Sequence, residues 1–489
     1  MSIFDLVIRN ATIVDGTGAQ RFVSDVGIDG DRIGRIGDLA GSVGRQEIDL
    51  AGAVLAPGFI DVHTHDDRLL LSSPDMTPKL SQGVTTVITG NCGISLAPFP
   101  GGPPPHVVPP LNLLDGSVRS FRFRTFGDYL CVLREQPAAI NSAALVGHTT
   151  LRIGAMASLD RPAGQAEIAV MRDRVAEALE SGAIGVSTGL FYEPAIAAPC
   201  EEVIEICRPL TDHAAIYCTH MRCEGDQINA SLEETFRVGR ELGVPVVISH
   251  HKLIGRANYG RSIETLARIK AAMQTQPVCL DCYPYAAGST ILSADRAASS
   301  ERVIVTWSRS LPEHAGRDLA HIARDLNLPV DETITRLLPA GAIYFRMHED
   351  DVQRILAFDQ TMIGSDGLPH DDSPHPRLWG TFPRVLGHYS RGLGLFSLEQ
   401  AVHKMTGLSA RNFGLADRGE VREGAYADLV LFDPDSIAAA ATYESPQLPA
   451  VGIQTVLVNG AVAWCAGRAS GSRTGRALAR SLTSASPGH

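Results

Sequence analysis

The chain has 489 residues, is 44% hydrophobic and 20% charged, and carries a formal net charge of −11. That length can bury a large core, and the composition is that of a globular protein rather than a fibrous or disordered one. The acidic balance, with no Lys/Arg cluster, argues against nucleic-acid or anionic-membrane binding. Nine cysteines, an odd number in so long a chain, argue against a disulfide framework.

The N-terminal run Met1-Ser2-Ile3-Phe4-Asp5-Leu6 carries an acid where a secretory signal needs a basic region. No window offers about 18 uninterrupted apolar residues, so no membrane span is expected and the expected compartment is the cytoplasm. Residues 1–56 read as short strands. Leu6-Val7-Ile8, Thr12-Ile13-Val14 and Ser24 to Ile28 are β-rich runs broken by Asn-Ala, Asp-Gly and Gly-Asp turns.

From residue 57 to 415 the pattern changes. Eight short apolar runs recur: Gly58–His63, Val84–Thr89, Ala143–His148, Ala183–Thr188, Ala215–His220, Val244–His250, Val278–Tyr283 and Thr361–Asp366. Between them lie stretches of helical periodicity, such as Ala166 to Leu179 and Ser231 to Leu242. Strand runs alternating with helical ones imply a parallel sheet, and eight such units predict an α/β fold of the (β/α)8 TIM-barrel type. The seventh and eighth runs are separated by far more residues than one helix needs. Residues 286–347 are therefore expected to form an inserted lid subdomain over the C-terminal face, where barrel active sites lie. Residues 416–489 return to β-rich runs, among them Ala427 to Phe432 and Val456 to Gly460. Both termini are thus expected to build one small β-sandwich domain, with a partly disordered tail from about Ser470.

Polar residues end the apolar runs. His63 and His65 follow the first, Cys92 the second, His220 the fifth, His250 the sixth and Asp366 the eighth. A barrel brings such strand ends onto one rim, and imidazole, thiolate and carboxylate are ligands for a borderline-soft divalent metal. In an extended chain His63 and His65 point to one face. A lone cysteine is usually a small buried apolar residue, but Thr89-Gly90-Asn91-Cys92-Gly93 places Cys92 in a tight turn at a strand end. Cys279-Leu280-Asp281-Cys282 puts its two cysteines on opposite faces of a strand, so these are expected in packing rather than as a metal pair. In Ser249-His250-His251-Lys252, His250 is the expected ligand, with Lys252 sharing its face and His251 pointing elsewhere. Asp366, between Ser365 and Gly367, is positioned to ligate metal, act as general base, or both.

Pro57-Gly58-Phe59-Ile60-Asp61-Val62-His63-Thr64-His65 resembles the opening metal motif of the amidohydrolase superfamily. Gly90 to Gly93, Thr219 to Arg222, Ser249 to Lys252, Tyr283 to Thr290 and Gly364 to His370 resemble its N-acyl-D-amino-acid deacylase (D-aminoacylase) branch. Lys404 to Arg411 and Gly424 to Val430 extend the likeness over almost the whole chain. The resemblance implies Zn2+ held tightly by Cys92, His220 and His250, and a second, weaker position at His63, His65 and Asp366. It implies hydrolysis of the amide of an N-acyl-D-amino acid, with Asp366 moving the proton, and a small-molecule substrate as partner. The substrate α-carboxylate needs a cation: Arg377 is the leading candidate, with Lys252 and Tyr283 beside it, Ser289 a weaker one, and Tyr192 a further hydrogen-bonding group. Phe191, Tyr344 and Met347 match the positions that shape the side-chain pocket in that branch, and their apolar character favours hydrophobic D-amino acids. Arg296 and Arg346 keep a deacylase for N-acyl-D-glutamate or N-acyl-D-aspartate open. Another cyclic-amide or dipeptide hydrolase and a non-catalytic binding barrel complete the alternatives.

Overall fold

Residues 3–50 and 52–481 are described by the structure, a computed structural model. Eight strands form one all-parallel sheet: β1 (Phe59–Asp61), β2 (Val84–Thr89), β3 (Asn141–Gly147), β4 (Gly185–Gly189), β5 (Ile216–His220), β6 (Val246–Ile248), β7 (Val278–Cys282) and β8 (Thr361–Ile363). Each pairs with its neighbour in chain order. The sheet curls until β1 meets β8: the Asp366 amide donates to the His63 carbonyl at 2.8 Å, and Thr64 bridges Gly367 in parallel. The eight apolar runs are these strands, and the chain is a (β/α)8 barrel.

Two periodicities build it. Along the strands, Leu145, Ile216, Cys218, Val247, Cys279 and Met362 pack in one cluster inside the barrel. Their neighbours Val146, Tyr217, Val246, Ile248, Leu280 and Ile363 join the larger cluster shared with the helices. A period of two makes this division, and it separates Cys279 from Cys282 as their spacing requires. The helices Gln165–Ser181 and Ile228–Leu242 return the chain to the next strand, ending at Gly182 (φ 115°) and Gly243 (φ 66°) in the left-handed conformation that closes a helix.

Both termini share one nine-stranded sheet. Its seam is Val54–Pro57 against Leu429–Phe432, antiparallel, which joins N-terminal strands to C-terminal ones. Leu55, Leu429, Leu431 and Leu457 face a core with Leu6, Ile8, Ile28 and Ile33. The alternate residues Val54, Ala56, Val430, Phe432 and Val456 face the barrel cluster instead. Between β7 and β8 stands a three-stranded antiparallel sheet, Ala287–Ile291, Arg302–Ser308 and Ala340–Phe345, with the last in the centre. The helices Leu319–Leu326 and Val330–Leu337 cover it through Ile322, Ile334 and Leu337.

The tail departs from its sequence expectation over the part that is described. Residues 475–481 are tied to the barrel: the Ser142 amide donates to Arg476 O at 2.9 Å and the Leu478 amide to Ser142 O at 2.7 Å. Arg480 donates to Ala214 O and Asn412 O at 2.8 and 2.9 Å. Composition indicated a polar segment, but these backbone partners lie far away in sequence. The expected disorder of residues 482–489 falls outside the described residues.

Candidate metal centre

Side chains from five strand ends converge at the barrel mouth. Three leave their strands with a left-handed backbone: Cys92 at φ 53°, His250 at φ 37° and Asp366 at φ 51°. Non-glycine residues held there cost about 1–3 kcal/mol each, so their surroundings must fix them. The His250 amide donates to Asp281 Oδ1 at 2.9 Å and the Asp366 amide to His63 O. The Cys92 turn depends on flanking glycines: at Gly90 (φ 75°) a Cβ would stand 1.9 Å from Leu145 O, and at Gly93 (φ 76°) 2.6 Å from Gly189 N.

Cys92 Sγ lies 3.2 Å from His63 Nε2 and 3.3 Å from His250 Nε2. His250 Nε2 is 3.0 Å from His220 Nδ1. His65 Nε2 stands 3.2 Å and His63 Nε2 3.6 Å from Asp366 Oδ1. A tetrahedral zinc with Zn–N of ~2.0–2.1 Å and Zn–S of ~2.3 Å separates its donors by about 3.3–3.6 Å, so these spacings fit such an ion. The ligand atoms of His63, Cys92, His250 and Asp366 all lie within 4.8 Å of one another, as do those of His220, Glu224 and His250. His250 therefore belongs to both groups and joins them into one cluster.

All six residues are buried, and their charges are mutually determined. Burial raises the Cys92 thiol, but His63 and His250 outweigh it and hold the thiol well below its usual range. Burial opposes charge on His65, yet the bonds to Asp366 and Cys92 prevail and raise it to about 9. Asp366 is raised by burial but held well below the carboxylate range by Arg377 and the imidazoles. A thiolate, a carboxylate and four imidazoles in a buried site form a donor set suited to zinc.

Above the cluster is a cavity lined by Phe191, Tyr192, Lys252, Tyr283, Ser289, Tyr344 and Met347, among others. The inserted sheet supplies Ser289 and Tyr344. Phe191 stacks on His220 with centroids 5.2 Å apart, and Tyr192 meets the same ring edge-on at 5.2 Å. Two hydroxyls are committed to the insertion: Ser289 Oγ donates to Ala342 O at 3.3 Å and Tyr344 Oη to Ile291 O at 2.8 Å. Arg377 opens the helix Arg377–Arg384 and is buried. Its Nη1 lies 2.9 Å from Asp366 Oδ2 and its guanidinium 4.5 Å from the Tyr283 ring centre. This arginine thus neutralises Asp366, a pairing its loop position in the sequence did not reveal. Lys252 Nζ is 2.8 Å from His250 Nδ1, while His251 turns away to Thr265.

Three buried groups escaped the sequence reading. Glu224 pairs with Lys252 at 2.5 Å, Asp281 lies 3.5 Å from His63 Nδ1, and Lys79 joins Asp61 at 2.7 Å and Ser365 Oγ at 3.0 Å. The one available signal was a charged residue inside an apolar strand run, as at Asp61 and Asp281. Asp61 also accepts the Ser365 amide at 2.8 Å, and Asp66 stands 3.3 Å from Lys79. This buried triad ties β1 to the segment carrying Asp366. Lys79→Met strands two buried acids and is expected to cost about 3–5 kcal/mol. It would be read as a lower urea midpoint with an unchanged slope; an unmoved midpoint would show that the triad does not secure the closure.

The amidohydrolase family profile matches residues 46–302 and 332–463. The chain is 58% identical over 477 residues to D-aminoacylase from Alcaligenes xylosoxydans xylosoxydans, covering 98% of each. It superposes with a TM-score of 0.94 and 58% identity on a solved D-aminoacylase with a binuclear metal center, described as one-metal activation and second-metal attenuation, covering 98% of this chain and 100% of that one. N-acyl-D-glutamate deacylase from Bordetella bronchiseptica, solved with zinc and a phosphonate mimic of the tetrahedral intermediate, gives a TM-score of 0.94 at 45% identity, covering 98% of this chain and 100% of that one.

Proposed function

The chain belongs to the amidohydrolase family, and from that membership we propose that it cleaves N-acyl-D-amino acids into a carboxylate and a free D-amino acid, with Zn2+ as its metal. The observation that carries this reading is the buried convergence of Cys92, His220, His250, His63, His65 and Asp366 beneath the cavity. Cys92, His220 and His250 would hold the tight ion, and His63, His65 and Asp366 a weaker one. Bound there, zinc supplies a Lewis acid that polarises the amide carbonyl and acidifies water.

The rest is the work of side chains. Asp366, kept ionised beside Arg377, takes a proton from the attacking water as its oxygen bonds the carbonyl carbon. It returns that proton to the amide nitrogen as the C–N bond breaks, so the amine leaves neutral and Asp366 is a carboxylate again. Lys252 and Tyr283 line the cavity, with Arg377 buried behind Tyr283, and this cationic and hydroxyl side receives the substrate α-carboxylate. Tyr192 and Ser289 border the acyl-amide, and the apolar surfaces of Phe191, Tyr344 and Met347 fit a hydrophobic side chain. The nine free thiols support a reducing, cytoplasmic setting. Among the described residues no helix is long and apolar enough to cross a membrane.

A second reading, an N-acyl-D-aspartate or N-acyl-D-glutamate deacylase, is favoured by Arg346 and Arg296. Arg346 lines the cavity, and neither guanidinium has a carboxylate partner among the described residues. Amine release from N-acetyl D- and L-forms of Leu, Met, Phe, Asp and Glu decides between the two. The expected result is turnover of the D series with kcat/KM highest for Leu, Met or Phe. A preference for D-Asp or D-Glu would establish the second reading, and a preference for the L series would overturn both.

A further inference from the structure

Glu224 is a buried carboxylate at the edge of the metal cluster that the chemistry assigned above does not use. It follows β5 by a few residues, so the turn after His220 folds it back beneath the same mouth. Its two oxygens face two different imidazoles. Oε1 lies 3.1 Å from His250 Nδ1, and Oε2 lies 3.6 Å from His220 Nε2. The opposite ring nitrogens, His250 Nε2 and His220 Nδ1, are the pair 3.0 Å apart beside Cys92. His220 Nε2 is buried and makes no hydrogen bond, and Glu224 Oε2 is the carboxylate oxygen that faces it.

We infer that Glu224 is a positioning residue that orients both imidazoles of the tight zinc position, fixing His250 as its Nε2-ligating tautomer and His220 as its Nδ1-ligating one. This rests on the zinc reading above. An imidazole offering one nitrogen to a cation must carry its proton on the other, and a carboxylate accepting that proton fixes ring orientation and raises ligand basicity. One carboxylate serving two ligands from adjacent strands also sets their mutual angle.

Lys252 completes the device. Its Nζ contacts Glu224 Oε1 at 2.5 Å, the His250 carbonyl at 3.2 Å and His250 Nδ1 at 2.8 Å. The last contact and the Glu224 contact compete, because an ammonium donates only to an unprotonated Nδ1 whereas a carboxylate accepts only from Nδ1–H. Once His250 Nε2 is a ligand, Nδ1 keeps its proton and the carboxylate is its partner. Lys252 then balances the Glu224 charge and presents its remaining donor capacity to the cavity.

The test is zinc affinity, measured on the full chain by chelator competition, for the native protein, Glu224→Gln, Glu224→Ala and Lys252→Met. Loss of a carboxylate partner of a ligating histidine costs roughly 10–100-fold in metal affinity, and Glu224→Ala is expected to fall in that range. Glu224→Gln, with one acceptor oxygen for two rings, should recover part of the loss. The cobalt-substituted Glu224→Gln protein should show a shifted visible spectrum, because ligand-field bands report ring orientation. Lys252→Met should lose less zinc affinity than Glu224→Ala while raising KM, which separates the part Lys252 plays at the substrate from the part Glu224 plays at the metal. Native-like zinc affinity and cobalt spectrum in Glu224→Gln would overturn the inference, as would a native-like affinity in a folded Glu224→Ala. A native protein that binds no zinc would instead sink the reading on which it rests.

Discussion

Replacing Asp366 by alanine is expected to lower kcat by about 10²–10⁴-fold, the range for loss of a positioned acid–base group, while zinc stays at Cys92, His220 and His250. Among the described residues Asp366 is the one carboxylate that pairs with both His65 and Arg377 at the cavity floor, which places it to take the water proton and return it to nitrogen. The variant also leaves the buried Arg377 without its carboxylate, which makes stability a necessary control. Asp366→Asn supplies it, because the amide oxygen still accepts from the guanidinium but cannot shuttle a proton. Both variants should show the same collapse of kcat, with metal content by atomic emission close to native. Either variant turning over at more than a tenth of the native rate would remove Asp366 from the proton path.

Cys92→Ala should release the metal. The sulfur is the one soft donor in the cluster and sits between His63 and His250, where the positive imidazoles favour the thiolate. Its loss removes both a strong thiolate ligand and the negative charge that lets several cationic or polar groups share a buried site. The effect on zinc affinity should exceed the roughly 10–100-fold expected for losing a hydrogen-bonding partner of a ligand. Dialysed protein should contain substoichiometric zinc and little activity, with activity partly restored by excess zinc. Alanine also accepts the left-handed backbone no worse than cysteine does, so the fold should survive. Full zinc in dialysed Cys92→Ala would make the cysteine a packing residue.

The legible part of this protein was the part written in local pattern. Apolar runs of strand length separated by helical periodicity identified all eight barrel strands. Their polar last residues could be named as one group because a barrel brings strand ends together whatever their distance in sequence. Cys92 stood out through its glycines, and those glycines are required by backbone contacts with Leu145 and Gly189. The face assigned to His250 and Lys252, with His251 turned away, followed from alternation alone.

Pairing between distant residues was decided only by the fold. Nothing near Arg377 in the chain shows that it would meet Asp366, and nothing near Glu224 shows that its two oxygens would back two histidines on adjacent strands. Lys79 and Asp66 read as ordinary charged residues until closure of β1 against β8 buries them with Asp61. The hydroxyl of Ser289 looked free for substrate, yet the insertion uses it on its own Ala342 carbonyl. The tail looked loose because composition reports what a segment is made of and not which backbone groups wait for it. Sequence by itself determined the elements, the ligand types and the chemistry they allow, since these depend on residues near one another or on a repeating period. Tertiary structure decided charge balance and orientation, because a buried ion pair or a fixed imidazole exists only once groups far apart in the chain share a site without water.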